Sequence, residues 1–146
     1  MKMRSFFLST IFIALVMFSG CSKDKEPEFN YISANNVADI INKGDTGYVF
    51  LDIQVQSDFD KHHLKSAVST CAYPVKTDEE KALLKKHLAA IKPEQKIIIV
   101  CPRGKGGAEN SVKYLREQGI DNSRLLILEN GQQGWPGNLN DLIEGK

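Results

Sequence analysis

The stretch Ile97-Ile98-Ile99-Val100-Cys101-Pro102-Arg103-Gly104-Lys105-Gly106-Gly107-Ala108-Glu109 decides how the chain reads. Its first four residues are β-branched and include no polar member. That predicts a strand buried on both faces, as in a parallel sheet. Residues 108–118 follow as an amphipathic run, with Ala108, Val112 and Leu115 on one face and Gly119 as a stop signal. A cysteine is therefore expected at the end of a buried strand, on a glycine-rich turn, just before a helix. Pro102 disfavours the α region for Cys101, which suits the last residue of a strand.

Such a position favours an anion. Gly104, Gly106 and Gly107 permit positive φ, so successive N–H groups can curl inward. The helix contributes the positive end of its dipole, and Arg103 and Lys105 contribute full charges. Together these favour the thiolate form of Cys101. A thiolate so held can attack an electrophilic sulfur or carry one as a persulfide. The plainer reading is a small core residue beside a surface turn. Two cations and three glycines within the six residues after Cys101 weigh against it.

The flanks supply the rest of the sheet. Ser33 reads as an N-cap, followed by Ala34, Val37, Ile40 and Ile41 at helical spacing and by Gly44 as a stop. Tyr48-Val49-Phe50-Leu51-Asp52 is a buried strand ending in an acid. Residues 67–70 form a short strand that leads to Cys71. Thr77 and Glu80 have capping-box spacing, and the helix they open is expected to reach about Ile91, with Leu84, Leu88 and Ile91 on one face and Pro93 beyond. Residues 124–128 form another buried strand, and a short helix near 139–143 closes the chain. Strands alternating with helices predict an α/β fold, a parallel β-sheet flanked by helices on both faces. Ligands in such sheets bind beyond the carboxyl ends of the strands, where Cys101 lies.

The strand–Cys–loop–helix unit resembles the active-site loop of the rhodanese (sulfurtransferase) family, which has the form Cys-x-x-Gly-x-Arg-Ser. Cys101 and Gly104 fit. Gly106 stands where the family usually has Arg and Gly107 where it usually has Ser or Thr; Arg103 and Lys105 offer charge instead. Residues 52–67 resemble the family's Asp-Val-Arg and Glu-Phe-x-x-Gly-His-Ile-Pro-Gly-Ala segments. Asp52, Phe59, His63, Leu64 and Ala67 match, while Gln54 replaces Arg, His62 replaces Gly, Lys65 replaces Pro and Ser66 replaces Gly. Asn130-Gly131-Gln132-Gln133-Gly134-Trp135 resembles its Gly-Gly-x-x-x-Trp signature, with Asn130 in place of the first Gly. The resemblance covers nearly all of residues 31–137 and implies a rhodanese-like domain.

It also implies roles. Cys101 is the expected nucleophile, and Arg103, Gly104, Lys105, Gly106 and Gly107 the expected substrate-binding residues. Asp52 and His63 are expected to brace the fold near the loop, with His63 packed and His62 facing solvent. Adjacent histidines point apart and no ligand-spaced cluster accompanies them, so no metal is expected; no organic cofactor is implied. Trp135 reads as a packing anchor. Cys71 is a candidate second thiol, able to resolve a Cys101 persulfide or pair with Cys101; the alternative, a small residue at a strand end, is favoured.

The amino terminus is separate in character. Lys2 and Arg4 precede a hydrophobic run of 13 residues, Phe6 to Phe18, broken only by Ser9 and Thr10. The run is short for a membrane span and suits a signal-peptide core. Phe18-Ser19-Gly20-Cys21 resembles the lipobox of bacterial lipoproteins. Residues 1–20 are thus read as a lipoprotein signal peptide, 21–29 as a lipidated Cys21 with a polar tether, and 30–146 as the domain. A plain secretion signal is the alternative. The protein is expected to be exported and anchored by lipid on Cys21 to a bacterial membrane, facing the periplasm.

Removal of Lys2 and Arg4 with the leader leaves 17 basic against 18 acidic residues, so the net charge moves from +1 to −1. No basic patch points to nucleic acid. The expected partners are a small sulfur-containing anion, such as thiosulfate, and a thiol or cyanide acceptor. Two other classes compete. A phosphatase or arsenate reductase would use a Cys-x5-Arg loop, yet position 107 is Gly. A lipid-tethered module would hold a sulfur species or a protein without turnover.

Overall fold

The computed structural model describes residues 28–145. The leader, Cys21 and most of the tether lie outside the described residues. A five-stranded parallel sheet forms the centre. It comprises β1 (Tyr31–Ile32), β2 (Tyr48–Asp52), β4 (Val68–Ser69), β5 (Lys96–Val100) and β6 (Leu125–Leu128), in the spatial order β1-β6-β5-β2-β4. β5 is central and pairs with β2 from Tyr48↔Lys96 to Asp52↔Val100, and with β6 from Ile97↔Leu125 to Ile99↔Ile127. A central parallel strand must be apolar on both faces, and Ile97 to Val100 are fully buried.

Alternation along β5 divides the core in two. Ile97, Ile99 and Cys101 face a cluster that includes Leu84 of α3 (Asp78–Lys85) and Ala108, Val112 and Leu115 of α4 (Gly106–Glu117). Ile98 and Val100 face a second cluster with Val37 and Ile40 of α1 (Ala34–Lys43), Leu64, Trp135 and Leu142. The fold is a mixed α/β layer structure with helices on both faces of a mostly parallel sheet.

Local signals account for most boundaries. The Ser33 hydroxyl accepts from Asn36 N–H, and Gly44 caps α1 in the left-handed region at φ 61°. Thr77 and Glu80 form a reciprocal capping box at the start of α3. That helix ends at Lys85 rather than near Ile91, and a 3-10 turn, Leu88–Ala90, carries the chain onward. α4 begins at Gly106, two residues before the apolar periodicity.

The carboxyl end differs more. In place of a helix at 139–143, 3-10 turns over Gly137–Leu142 lead into β7 (Ile143–Glu144). β7 pairs antiparallel with β3 (His63–Leu64), which follows α2 (Gln56–Lys61). Leu139 has non-helical angles inside the segment, so the continuous ladder of a true helix cannot form.

β2, β4, β5 and β6 are mutually parallel in the sheet, so the segments that follow them gather at one end. There the turn after β6 clamps the loop after β5. Gln132 N–H donates to Cys101 O at 2.8 Å and Gln133 N–H to Pro102 O at 2.9 Å. Gly131 has φ 62°, and a Cβ on it would run into Cys101 O and the Arg103 and Gly104 nitrogens. Gly131→Ala should therefore destabilise the domain by about 2–4 kcal/mol. Urea unfolding monitored by the fluorescence of Trp135 measures it, and a loss under 0.5 kcal/mol would contradict the clamp.

Candidate active site

Cys101 lies directly after β5, and the residue is only 2% exposed. Its Sγ accepts a hydrogen bond from Gly104 N–H at 3.0 Å. Gly104 turns at φ 63° against Leu128 O and the Asn130 and Gly131 nitrogens, leaving no room for a Cβ. The loop glycines divide their work differently from the sequence reading. Only Gly104 takes positive φ; Gly106 and Gly107 are the first residues of α4. As opening residues their N–H groups have no acceptor within the helix, and they sit at the positive end of its dipole.

A cleft of about 390 Å³ opens over the sulfur. Cys101, Arg103, Lys105, Gly106 and Gly107 line one side, and Tyr73, Pro74, Lys76 and Asn110 complete it. Among the described residues, three cations and no carboxylate line this cleft. Gly104 supplies its N–H to the sulfur and lines a neighbouring cleft with Tyr31, Glu109 and Glu129. The sequence reading missed the Tyr73 to Lys76 wall, because a contact across thirty residues leaves no local periodicity.

Cys71 stands apart. It is half-buried, at φ 54°, and its Sγ donates to Gln56 Oε1 at 3.1 Å, with Ser69 Oγ at 3.5 Å. Both Cys71 and Cys101 are free thiols, and Cys71 does not line the Cys101 cleft.

Asp52 is fully buried at the end of β2. Its carboxylate accepts from Gln54 N–H at 2.9 Å and Gln54 Nε2 at 3.0 Å. Burial pushes its pKa up to about 6, against the lowering effects of the Gln54 hydrogen bonds and of His63. Gln54 gives two donors but no charge, so desolvation wins. His63 Nδ1 lies 2.6 Å from Phe59 O and so carries the proton; the ring stacks on Phe59 at 3.9 Å.

His62 is not simply solvent-facing. It is half-buried, its Nδ1 lies 2.7 Å from Gln132 Nε2, and its carbonyl accepts from Gln54 Nε2 at 3.3 Å. Gln132 Oε1 is buried without a partner among the described residues. Trp135 is buried, donating from Nε1 to Leu139 O at 3.0 Å.

The Rhodanese-like domain family matches residues 33–138. The chain belongs to this family. The solved rhodanese-like domain of an Anabaena protein is 17% identical, with a TM-score of 0.62, covering 82% of this chain and 81% of that one. A Bacillus halodurans protein is 21% identical at a TM-score of 0.60, covering 80% and 77%. A thiosulfate sulfurtransferase from Pseudomonas aeruginosa is 19% identical at a TM-score of 0.60, covering 83% of this chain but 20% of that one. These likenesses show the fold. No curated protein matches the chain.

The raised pKa of Asp52 makes this rhodanese-like domain pH-sensitive. Below about pH 4 the carboxyl is protonated folded or unfolded. Above about 6 it is ionised in both, and the folded state bears the burial penalty. Stability contributed by Asp52 should therefore fall by about 1–3 kcal/mol as pH rises from 4 to 6.5. Thermal melting across that range, compared with Asp52→Asn, should show the decline in wild type alone; parallel curves would refute it.

Proposed function

We propose that this protein is a sulfurtransferase working through a Cys101 persulfide. The supporting observation is that Cys101 lines a cleft with Arg103, Lys105 and Lys76 and, among the described residues, with no carboxylate. Thiosulfate docks its sulfonate among these cations. The Cys101 thiolate attacks the outer sulfur, an S–S bond forms to Sγ, and the bond to the sulfonate breaks. Its electron pair leaves with sulfite, which the cations and the α4 amides stabilise as charge develops. An acceptor thiolate or cyanide then attacks the outer persulfide sulfur, and the Cys101 thiolate returns. No net redox partner is needed.

Incubation with thiosulfate should add about 32 Da, roughly one sulfur atom, to Cys101. Cys101→Ser should abolish both the adduct and thiocyanate formation with cyanide. Retained turnover would remove the nucleophile assignment, and no adduct on the wild type would favour the module that binds without transfer.

The lipoprotein reading of residues 1–21 is part of the same proposal. A lipid on Cys21 would hold the domain at a bacterial membrane outside the cytoplasm. Cys21→Ser should shift the exported protein from the membrane fraction to the soluble fraction; an unchanged distribution would sink the anchor.

A further inference from the structure

Loss of the family's usual loop Arg and Ser leaves two glycines at 106 and 107, and the structure shows what fills the space. A Cβ on Gly107 would lie 2.7 Å from Tyr73 Cε2 and 2.9 Å from Tyr73 Cδ2. The tyrosine ring is therefore packed on the bare backbone of the first turn of α4. Its own backbone is fixed, since Tyr73 N–H donates to Ile53 O at 2.8 Å. The next residue is tied to α4 through Asn110 Nδ2, which donates to Pro74 O at 3.1 Å.

The ring thus forms a fixed wall of the cleft that holds Cys101, and its phenol carries a hydrogen-bond donor. Tyr73 is half-buried as a residue, and its hydroxyl has no hydrogen-bond partner among the described residues. Tyr73 lines the same cleft as Cys101, Arg103, Lys105 and Lys76, so a phenol with no protein acceptor stands in a cationic cleft where an anionic ligand would supply one. Lys76, three residues on, lines the same cleft and brings a charge to the same wall.

We infer that Tyr73 is a substrate-binding residue: its hydroxyl, with Lys76, receives the oxyanion end of the sulfur donor in the cleft that Arg103 and Lys105 also line. This rests on the sulfurtransferase reading for the identity of the donor, though not for the recognition of an anion beside Cys101. The segment after β4 then supplies the hydroxyl that the loop lacks and a third cation beside Arg103 and Lys105. Gly107 is required because any side chain there would displace the ring.

The test uses the full chain and two alkylating reagents, anionic iodoacetate and neutral iodoacetamide. The ratio of their rates at Cys101 reads anion recognition without requiring turnover. Tyr73→Phe keeps the ring and its packing, so a role in folding alone would not move this ratio. The ratio should fall about fivefold, and kcat/KM for thiosulfate about tenfold, the range of one hydrogen bond to a charged group. Gly107→Ser, which displaces the ring while leaving the phenol in the chain, should lower the ratio likewise. An unchanged ratio in either variant overturns the inference. A lowered ratio in a protein that forms no persulfide would support Tyr73 and reject sulfur transfer.

Discussion

The site depends on a backbone clamp between two neighbouring parallel strands. β5 and β6 end side by side, and the turn after β6 gives its Gln132 and Gln133 N–H groups to the carbonyls of Cys101 and Pro102. This satisfies the carbonyls of Cys101 and Pro102, while Gly104 N–H faces the sulfur. Gly104 N–H reaches Sγ because the carbonyl side is already held. The close approach is possible only with glycine on each side of the seam: Gly104 lacks room for a Cβ against the 128–131 backbone, and Gly131 lacks room against the loop. Glycine at both positions also supplies the left-handed φ that each turn requires.

A chain of mostly neutral side chains runs from this clamp to the buried acid. Gln132, whose backbone holds Cys101, contacts His62 through its amide; the His62 carbonyl accepts from Gln54, and Gln54 grips Asp52. With Gln at position 54 the carboxyl is hydrogen-bonded yet lacks a strong counter-charge, which is why burial dominates its pKa. A guanidinium in that place would hold the acid ionised well below neutral pH. This domain instead carries a carboxyl that titrates near the acidic edge of the physiological range, connected by hydrogen bonds to the loop that bears the cysteine.

The parts of this architecture that were legible in the sequence are those fixed by short-range physics. Residues 97–100 announce a central strand by having no polar face, and Thr77 with Glu80 announce a helix start by reciprocal capping. β1, β3 and β7, at two residues each, are too short to express a period of two and are defined by their partners. The segment 137–144 carries apolar residues at helical spacing, but the pull of β3 on Ile143 and Glu144 extends its end. The glycines of the loop were readable as a cluster, not as individuals. Their separate duties, turning at 104 and close packing at 107, come from Asn130 and Tyr73, which are distant in sequence. His62 was misplaced for the same reason, since its partner Gln132 lies seventy residues away.

The packing of Tyr73 on Gly107 also bears on which chemistry this cleft can support. In phosphoryl transfer the attacked atom is the centre of the oxyanion, so donors must encircle it close above the nucleophile, and a loop Arg at the end of Cys-x5-Arg does that. Here that position is Gly107, and a side chain rooted there would meet the tyrosine ring. In sulfur transfer the attacked atom is the sulfane sulfur, which projects from the oxyanion by one bond. The charges that receive the leaving group then belong one bond further from the nucleophile, on the rim rather than around the floor. Arg103, Lys105 and Lys76 line the cleft together with Cys101, and among the described residues Gly104 N–H donates to the sulfur itself. With Gly107 in place of that Arg, the cleft lacks the bidentate clamp that the encircling oxygens of a phosphoryl group require.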